Sequence, residues 1–156
     1  MSETADLARK LKAEGDKFSL FFASLTDAQW GTEVYTEGAT WTIRNVLAHF
    51  VTAERGFVRL FAEICNGASG VSEDFSIDRY NARQQERTRE MAPADLLEQY
   101  KAVRAEMVSF VSALQDSDLE RMGRHPFLQW TSLREMIKMV YLHNQIHYRD
   151  LKKILG

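Results

Sequence analysis

Two histidines near the carboxyl end of the chain, His143 and His147, are four residues apart. On an α-helix this spacing places two side chains one turn apart on the same face, so both imidazoles can bind one metal ion. Spacing alone is weak support, because such pairs also arise by chance. The direction in which the pair points is therefore the better test of a metal site.

The helix that would contain this pair has one apolar face and one charged face. Val140 and Leu151 lie on the apolar face together with His147, and His143 lies at its edge. The opposite face has basic side chains, those of Arg134, Lys138, Arg149, Lys152 and Lys153. The pattern predicts that both imidazoles point into an apolar interior.

A third histidine, His49, lies on the flank of the apolar face of a second amphipathic helix. An unpaired buried polar group costs on the order of 1 to 3 kcal/mol, and few polar partners for three inward histidines are visible. One shared divalent ion would pair all three nitrogens. The alternative is that each histidine is a core residue with its own hydrogen-bond partner.

Glu54 lies on the other flank of the same helix face. It is a weak candidate for a general base, and could instead support a metal ligand or act as a reserve ligand. A solvated charge on the helix flank is the alternative interpretation.

Other residues with chemical potential receive structural interpretations. His125 is expected in a surface loop, where at most it would line the mouth of the site. Cys65 is expected to be a small apolar filler. The tryptophans stand beside helix boundaries and are expected to be packing anchors, namely Trp30, Trp41 and Trp130.

The elements that would position these side chains are helices, so we predict an all-α protein. Apolar periodicity predicts four long helices, over about residues 4–25, 42–66, 93–114 and 131–155. Pro93 suits a first helical turn, and Ser132 with Glu135 fits a capping box at the start of the last helix.

Residues 67–91 form a long connection between the second and third long helices, within which a short helix is expected over about 78–89. Such a crossover predicts a four-helix bundle that departs from the simple up-down-up-down form. At 156 residues, the chain is expected to form a single domain over residues 1–156.

Composition disfavours several classes of function. A net charge of -2 gives no broad attraction for nucleic acid. The start of the chain lacks the apolar core of a secretory signal, and no run of 18 apolar residues occurs, so we expect a cytoplasmic protein without membrane contact. With Cys65 as the single cysteine, a metal would need His, Asp or Glu ligands.

The chain resembles the DinB-like superfamily, which includes YfiT-like proteins. The matching pieces are residues 41–49, WTIRNVLAH, then Glu54, and the terminal residues 143–150, HNQIHYRD. One departure is visible, because many relatives follow the last histidine with Arg-Gly-Gln, whereas this chain has Tyr148, Arg149 and Asp150.

The resemblance implies a four-helix bundle with a long crossover and one divalent ion per chain, zinc or nickel, bound by His49, His143 and His147. Three histidines leave coordination positions open for water or substrate. The resemblance slightly favours a transferase that uses a low-molecular-weight thiol on a small electrophile, over a metal-dependent hydrolase that uses metal-bound water. A metal-dependent stress-response or binding protein without catalysis is the alternative, and a homodimer is plausible.

Overall fold

The computed structural model of the chain describes residues 2–156. In chain order its elements are α1 (Glu3–Ala23), α2 (Asp27–Trp30), β1 (Glu33–Tyr35), β2 (Trp41–Thr42), α3 (Ile43–Cys65), α4 (Ile77–Thr88), α5 (Pro93–Ser112), a 3-10 helix (Asp116–Glu120), β3 (Met122–His125), β4 (Gln129–Ser132) and α6 (Leu133–Leu155). The predicted all-α four-helix bundle is confirmed, with α1, α3, α5 and α6 as its long helices. Each predicted boundary of these helices lies within two residues of the observed one.

Two pairs of long helices that follow one another in the chain, α1 with α3 and α5 with α6, are not main packing partners in the bundle. Helices α1 and α3 each pack against α5 and α6, so α1 and α3 lie at opposite corners of the bundle. The connection between α3 and α5 contains α4, which packs on α3 and corresponds to the short helix expected over 78–89. The long crossover between the second and third long helices is therefore confirmed.

Two antiparallel β-ribbons, which the sequence reading missed, precede bundle helices. Strand β1 pairs with β2 before α3, and β3 pairs with β4 before α6. Strands of two to four residues are too short to show the alternation by which strands are recognised. These ribbons bring Tyr35 and His125 to positions near the bundle helices.

The starts of α3 and α6 are capped by hydroxyl groups. Thr42 Oγ1 accepts the Asn45 N–H at 3.3 Å, and the Asn45 side chain accepts the Thr42 N–H at 2.7 Å. Ser132 Oγ accepts the Glu135 N–H at 3.3 Å as predicted. The reciprocal half of the predicted capping box is wrong, because the Glu135 carboxylate pairs instead with Lys138, at 3.7 Å.

The apolar faces of the long helices form the core, and the tryptophans differ in their part in it. Trp30 stacks on Phe22 with ring centroids 5.8 Å apart, as expected of a packing anchor. Trp130 does not fit that expectation, because 54% of it is exposed on the outer side of its ribbon. Cys65 is partly buried against the core, as expected of an apolar filler. Within residues 2–156, no helix combines the length and the hydrophobicity needed to cross a membrane.

Candidate metal centre

Helices α3 and α6 bring the three predicted histidines together. Nε2 of His143 lies 2.9 Å from Nε2 of His49 and 3.1 Å from Nε2 of His147. One ligand atom from each residue lies within 4.8 Å of those of the other two. The three side chains therefore form one cluster rather than three separate core histidines.

The three imidazole rings meet nearly at right angles. The interplanar angles are 81° between His49 and His143, 81° between His49 and His147, and 87° between His143 and His147. A nitrogen lone pair lies in the plane of its ring, so rings in this arrangement can direct three lone pairs toward one point. This is the geometry needed at one face of a metal coordination sphere.

Burial keeps the cluster uncharged. Loss of hydration lowers the pKa of His49 well below its usual 6.5, and the charges that His143 and His147 would have lower it further. Burial, together with the charges that His147 and His125 would have, lowers the pKa of His143 to about 3. The pKa of His147 is also lowered by burial, although Asp150 opposes that shift. Neutral imidazoles are the form that binds metal ions.

Tyr35 and Asp150 determine which nitrogen of His147 faces the cluster. The Tyr35 hydroxyl donates to a carboxylate oxygen of Asp150 at 2.5 Å, so its oxygen can accept from Nδ1–H of His147 at 2.8 Å. Burial, together with the bond to Asp150, raises the pKa of Tyr35, which therefore stays protonated. With its proton on Nδ1, His147 presents the lone pair of Nε2 to the other histidines.

The three Nε2 atoms suit a bound cation better than they suit hydrogen bonds with one another. The Nε2 lone pair of His147 points at Nε2 of His143, which also faces Nε2 of His49. A single proton on His143 can serve only one of these two contacts well, because a neutral imidazole has one N–H. A divalent ion among the three nitrogens would satisfy all three lone pairs.

Two aromatic side chains form the walls around the cluster. The ring of Trp41 lies 5.1 Å from that of His49. The ring of Phe50 lies 6.1 Å from His143 and 5.8 Å from His147. Trp41 is thus more than the packing anchor expected from the sequence, because it also lines the pocket that opens onto the histidines.

Glu54 lies beneath the cluster in a buried ion pair. Both of its carboxylate oxygens accept hydrogen bonds from Arg104, each at 2.7 Å, and both side chains are almost fully buried. Arg104 also donates to the side chain of Asn144 and, at 2.9 Å, to the Leu11 carbonyl. Glu54 is not the solvated flank charge given as its alternative role. Its contacts connect it to α6 through Asn144, the neighbour of His143.

A pocket of about 520 Å3 opens onto the cluster. All three histidines line it, together with residues of α4 and of the β3–β4 ribbon. Tyr80 on α4 covers one side, and its hydroxyl donates to the Thr52 carbonyl at 3.0 Å. The volume lies within the range typical of small-molecule sites, roughly 300 to 1,000 Å3.

His125 lies in this pocket and not on the surface. The expectation of a surface loop residue is wrong, because His125 ends strand β3 and is only 2% exposed. The segment beside it is fixed by the crossover, since Arg124 N–H donates to the Ser69 carbonyl at 2.7 Å and Val71 N–H donates to the Arg124 carbonyl at 2.9 Å. The missed β-ribbon is the reason for the error.

Several residues of the site have no motif in the sequence that would have identified them. Tyr35 lies on a three-residue strand, and Arg104 lies on α5 far from any histidine in the chain. For Asp150 the sequence contained one indication, because this residue stands where the chain departs from the pattern of many DinB-like relatives. In the structure, Asp150 accepts a hydrogen bond from the Tyr35 hydroxyl.

Comparisons with known proteins agree with this architecture. The sequence profile of the DinB superfamily matches residues 10–151. A comparison with curated protein sequences finds no match. Among solved structures, the chain is similar to YfiT from Bacillus subtilis, which is described as a probable metal-dependent hydrolase with an unusual four-helix bundle topology. The two share 16% sequence identity with a TM-score of 0.79, over 99% of this chain and 87% of that one.

Two further solved structures share the fold. An uncharacterised protein from Escherichia coli UTI89 is 14% identical, with a TM-score of 0.76, over 96% of this chain and 91% of that one. A mycothiol-dependent maleylpyruvate isomerase is 17% identical, with a TM-score of 0.74. The alignment covers 96% of this chain but 59% of the isomerase, so the isomerase has a large part without a counterpart here.

Proposed function

Since the chain belongs to the DinB superfamily, we propose that it is a metal-dependent enzyme in which His49, His143 and His147 bind one divalent ion, zinc or nickel. The observation that carries the proposal is the convergence of three neutral Nε2 atoms at the floor of a pocket of about 520 Å3. Three protein ligands leave coordination positions open toward that pocket, as in catalytic rather than structural metal sites.

Hydrolysis of a small molecule is the reaction class that we favour. A bound ion would polarise a substrate oxygen and lower the pKa of a coordinated water toward neutrality. In hydrolysis, water adds across the cleaved bond, with its hydroxyl group on the electrophilic atom and its proton on the leaving group. The chain contributes the orientation of His147, through Tyr35 and Asp150, and aromatic walls that limit access of bulk water.

The basic side chains favour hydrolysis over thiol transfer. Bacillithiol and glutathione are carboxylate-bearing thiols, and cationic side chains are the strongest hydrogen-bond partners for a carboxylate. Arg44 binds the carbonyls of Thr88 and Met91, and Arg55 binds the side chain of Gln99. Among residues 2–156, Arg59 is then the only arginine or lysine that lines the pocket. Thiol transfer is the second candidate, supported by the fold shared with the mycothiol-dependent isomerase.

Glu54 has no place in this proposal as a proton acceptor. Both of its oxygens are occupied by Arg104, and using them would break a buried ion pair. We propose instead that Glu54 positions the histidine helix, since Arg104 connects it to Asn144.

The metal site is tested by elemental analysis of protein purified without a histidine tag and reconstituted with zinc or nickel. We expect about one equivalent per chain. The variants H49A, H143A and H147A should each lose most of it, whereas H125Q, which removes the pocket histidine outside the cluster, should retain it. Less than a tenth of an equivalent in the unmodified protein would overturn the proposal.

The reaction class is tested by incubating the zinc-loaded protein with a panel of small esters, amides and lactones, followed by mass spectrometry. Hydrolysis that is lost in H147A is the expected result. Conjugates formed only when an electrophile and a low-molecular-weight thiol are both present would replace hydrolysis by thiol transfer. Metal binding without turnover in either panel would favour a binding protein without catalysis.

A further inference from the structure

The pocket above the histidines is long and narrow along α3. Its lining on that helix extends from His49 to Glu63, which are fourteen residues apart and so about 21 Å at 1.5 Å per residue. The histidine cluster occupies one end, and His125 stacks on Phe57, eight residues further along α3 than His49. A ligand that reaches the metal site can therefore extend well beyond it.

The lining of this pocket is largely apolar. Side chains from α3, the crossover, the β3–β4 ribbon and α6 all contribute, among them Phe57, Leu60, Val71, Phe127, Met139 and Ile146. Phe127 and Ile146 remain 66% and 45% exposed, so the apolar surface continues to the mouth of the pocket. Burial of apolar ligand surface against such walls is favourable by roughly 25 cal/mol per Å2.

The charged part of the lining gives no net attraction for an ion. Within residues 2–156, Arg59 and Glu63 are the charged side chains that line the pocket, and they have opposite charges. They lie four residues apart on α3, hence one turn apart on the same face. In the absence of a metal ion, an uncharged ligand suits this lining better than an anion or a cation.

His125 supplies a fixed polar group in these apolar surroundings. Its Nδ1 accepts the backbone N–H groups of Phe127 and Leu128, each at 3.0 Å. A neutral imidazole that accepts at Nδ1 has its proton on Nε2. The ring also stacks on Phe57, with centroids 5.1 Å apart and an interplanar angle of 14°, so its direction is set on two sides.

The Nε2–H of His125 is an unused donor. Burial lowers the pKa of His125 to about 4, which keeps the ring neutral near pH 7. Within residues 2–156 its hydrogen bonds are the two at Nδ1, and Nε2 has no partner. Nε2 of His125 is not among the fully buried side-chain atoms that lack a partner, so its N–H is open to the pocket and can donate to an acceptor on a ligand there.

We propose that the pocket binds an uncharged, mainly apolar small molecule that has a carbonyl oxygen, and that Nε2–H of His125 donates a hydrogen bond to this oxygen. The inference rests on the proposed function in that it names the substrate class of the same site. Binding of such a molecule does not itself require the metal, so the two can be tested separately.

The test uses 6-propionyl-2-dimethylaminonaphthalene, an uncharged fluorescent ketone, and 6-propyl-2-dimethylaminonaphthalene, which has the same carbon skeleton but lacks the carbonyl oxygen. Both are titrated into metal-free protein, and emission shift and intensity give the affinity. We expect saturable binding of the ketone with blue-shifted emission. The analogue should bind more weakly, by about three- to tenfold, which is the ratio expected from one neutral hydrogen bond.

Two arginine variants locate the binding site. I146R places a charge in the pocket lining and should weaken ketone binding at least tenfold. L142R is its matched control, since Leu142 on the same helix is 43% exposed, close to the 45% of Ile146, but does not line the pocket. L142R should bind the ketone as the unmodified protein does. Equal binding in both variants would overturn the assignment of the pocket.

The role of His125 is tested with H125F, which keeps an aromatic ring against Phe57 but removes the donor. We expect the ketone to lose its three- to tenfold advantage over the analogue while the analogue binds as before. An unchanged ratio of the two affinities would overturn the hydrogen bond from His125. If H125F does not fold, as judged by circular dichroism, the carbonyl stretching frequency of the ketone bound to unmodified protein decides instead. We expect a lower frequency than in an apolar solvent, as for a carbonyl that accepts a hydrogen bond, and an unshifted frequency would overturn the proposal.

Zinc content is measured on the same protein preparations. Ketone binding without zinc binding would leave the ligand class standing and remove the metal-dependent function. Zinc binding without ketone binding would leave the metal-dependent function standing and remove the proposed ligand class.

Discussion

The hydroxyl of Tyr35 lies 2.8 Å from Nδ1 of His147, although 112 residues separate them in the chain. The same hydroxyl donates to Asp150, one turn after His147 on α6. A strand outside the bundle thus sets the tautomer of a histidine inside it. Partners of this kind hold a metal-binding imidazole in its binding orientation and raise its basicity.

The first prediction is that Y35F weakens zinc binding about 10- to 100-fold, the usual effect of removing such a partner. Without the hydroxyl, Nδ1 of His147 loses its acceptor, and the Nε2–H tautomer, which has no lone pair on Nε2 for the metal, becomes more populated. Competition with a chromophoric chelator measures the affinity. Y141F is the control, because Tyr141 is a buried tyrosine on α6, the helix of His147, but lies outside the histidine cluster. Equal affinities for the two variants would contradict the role given to Tyr35.

The second prediction concerns the ion pair between Arg104 and Glu54. R104M should lower the free energy of unfolding by about 3 to 5 kcal/mol, because it leaves a buried carboxylate without its partner. R121M removes an exposed pair with Asp118 and should cost at most about 1 kcal/mol. Urea unfolding measures both.

A rescue experiment separates the loss of the charge partner from a general loss of packing. Replacing Glu54 as well, in the double variant R104M/E54L, removes the uncompensated charge and should regain part of the stability. If R104M/E54L is less stable than R104M by the full cost of a second core substitution, the uncompensated charge of Glu54 was not the cause of the instability of R104M.

The sequence predicted the long helices because their apolar faces repeat over many turns. Val140 and Leu151 are buried as the pattern of α6 predicted, and the neighbouring histidines lie together in the structure. Twenty or more residues in each helix make such periodicity easy to recognise. The family resemblance gave the connection between helices and the same three histidines.

The sequence did not predict the residues that act through tertiary contacts. Arg104 is one of the two basic residues in α5, and its burial depends on Gly15, where an added Cβ would lie 2.6 Å from Cγ of Arg104. His125 was misplaced because a four-residue strand has no clear periodicity. Contacts between elements far apart in the chain decide the environment of such residues, and local patterns do not contain that information.

The third prediction is a loss of stability at acidic pH due to His125. Its pKa is about 4 in the folded chain, whereas an unfolded histidine titrates near 6.5. Below about pH 6.5 the unfolded chain gains a proton that the folded chain does not, so stability present above that pH declines as the pH falls. The decline ends near pH 4 and amounts to about 3 kcal/mol, at roughly 1.4 kcal/mol per pH unit.

The comparison of unmodified protein with H125F isolates this contribution. Both proteins retain His49, His143 and His147, whose lowered pKa values add a similar dependence to each curve. A charge on His125 would also lower the pKa of His143, so the difference between the curves includes this smaller effect of His125. Urea unfolding gives the free energy of unfolding of metal-free protein between about pH 7.5 and 4.5. Plotted against pH, this free energy should rise less steeply for H125F, by up to the roughly 1.4 kcal/mol per pH unit that one proton contributes. Parallel curves would show that His125 is not held neutral in the fold.

The fourth prediction concerns the contact between Gly56 and Tyr80 at the side of the pocket. A Cβ at position 56 would lie 2.9 Å from the Tyr80 hydroxyl oxygen, which donates to the Thr52 carbonyl. G56A should therefore displace Tyr80 and lose that hydrogen bond, at a cost of about 1 kcal/mol. This loss offsets the gain of roughly 0.5 to 1 kcal/mol that alanine normally brings to a helix interior, so the net change should be near zero or destabilising.

In the Y80F background the sign should reverse. Without the hydroxyl, the nearest remaining atom of that side chain, Cζ, is 3.7 Å from the added Cβ, which is an ordinary contact. The helix preference then acts alone, and G56A should stabilise the Y80F protein by about 0.5 to 1 kcal/mol. Urea unfolding of the four proteins forms a double-mutant cycle with a coupling energy of about 1 kcal/mol. The same effect of G56A in both backgrounds would mean that Tyr80 does not lie against α3 as described.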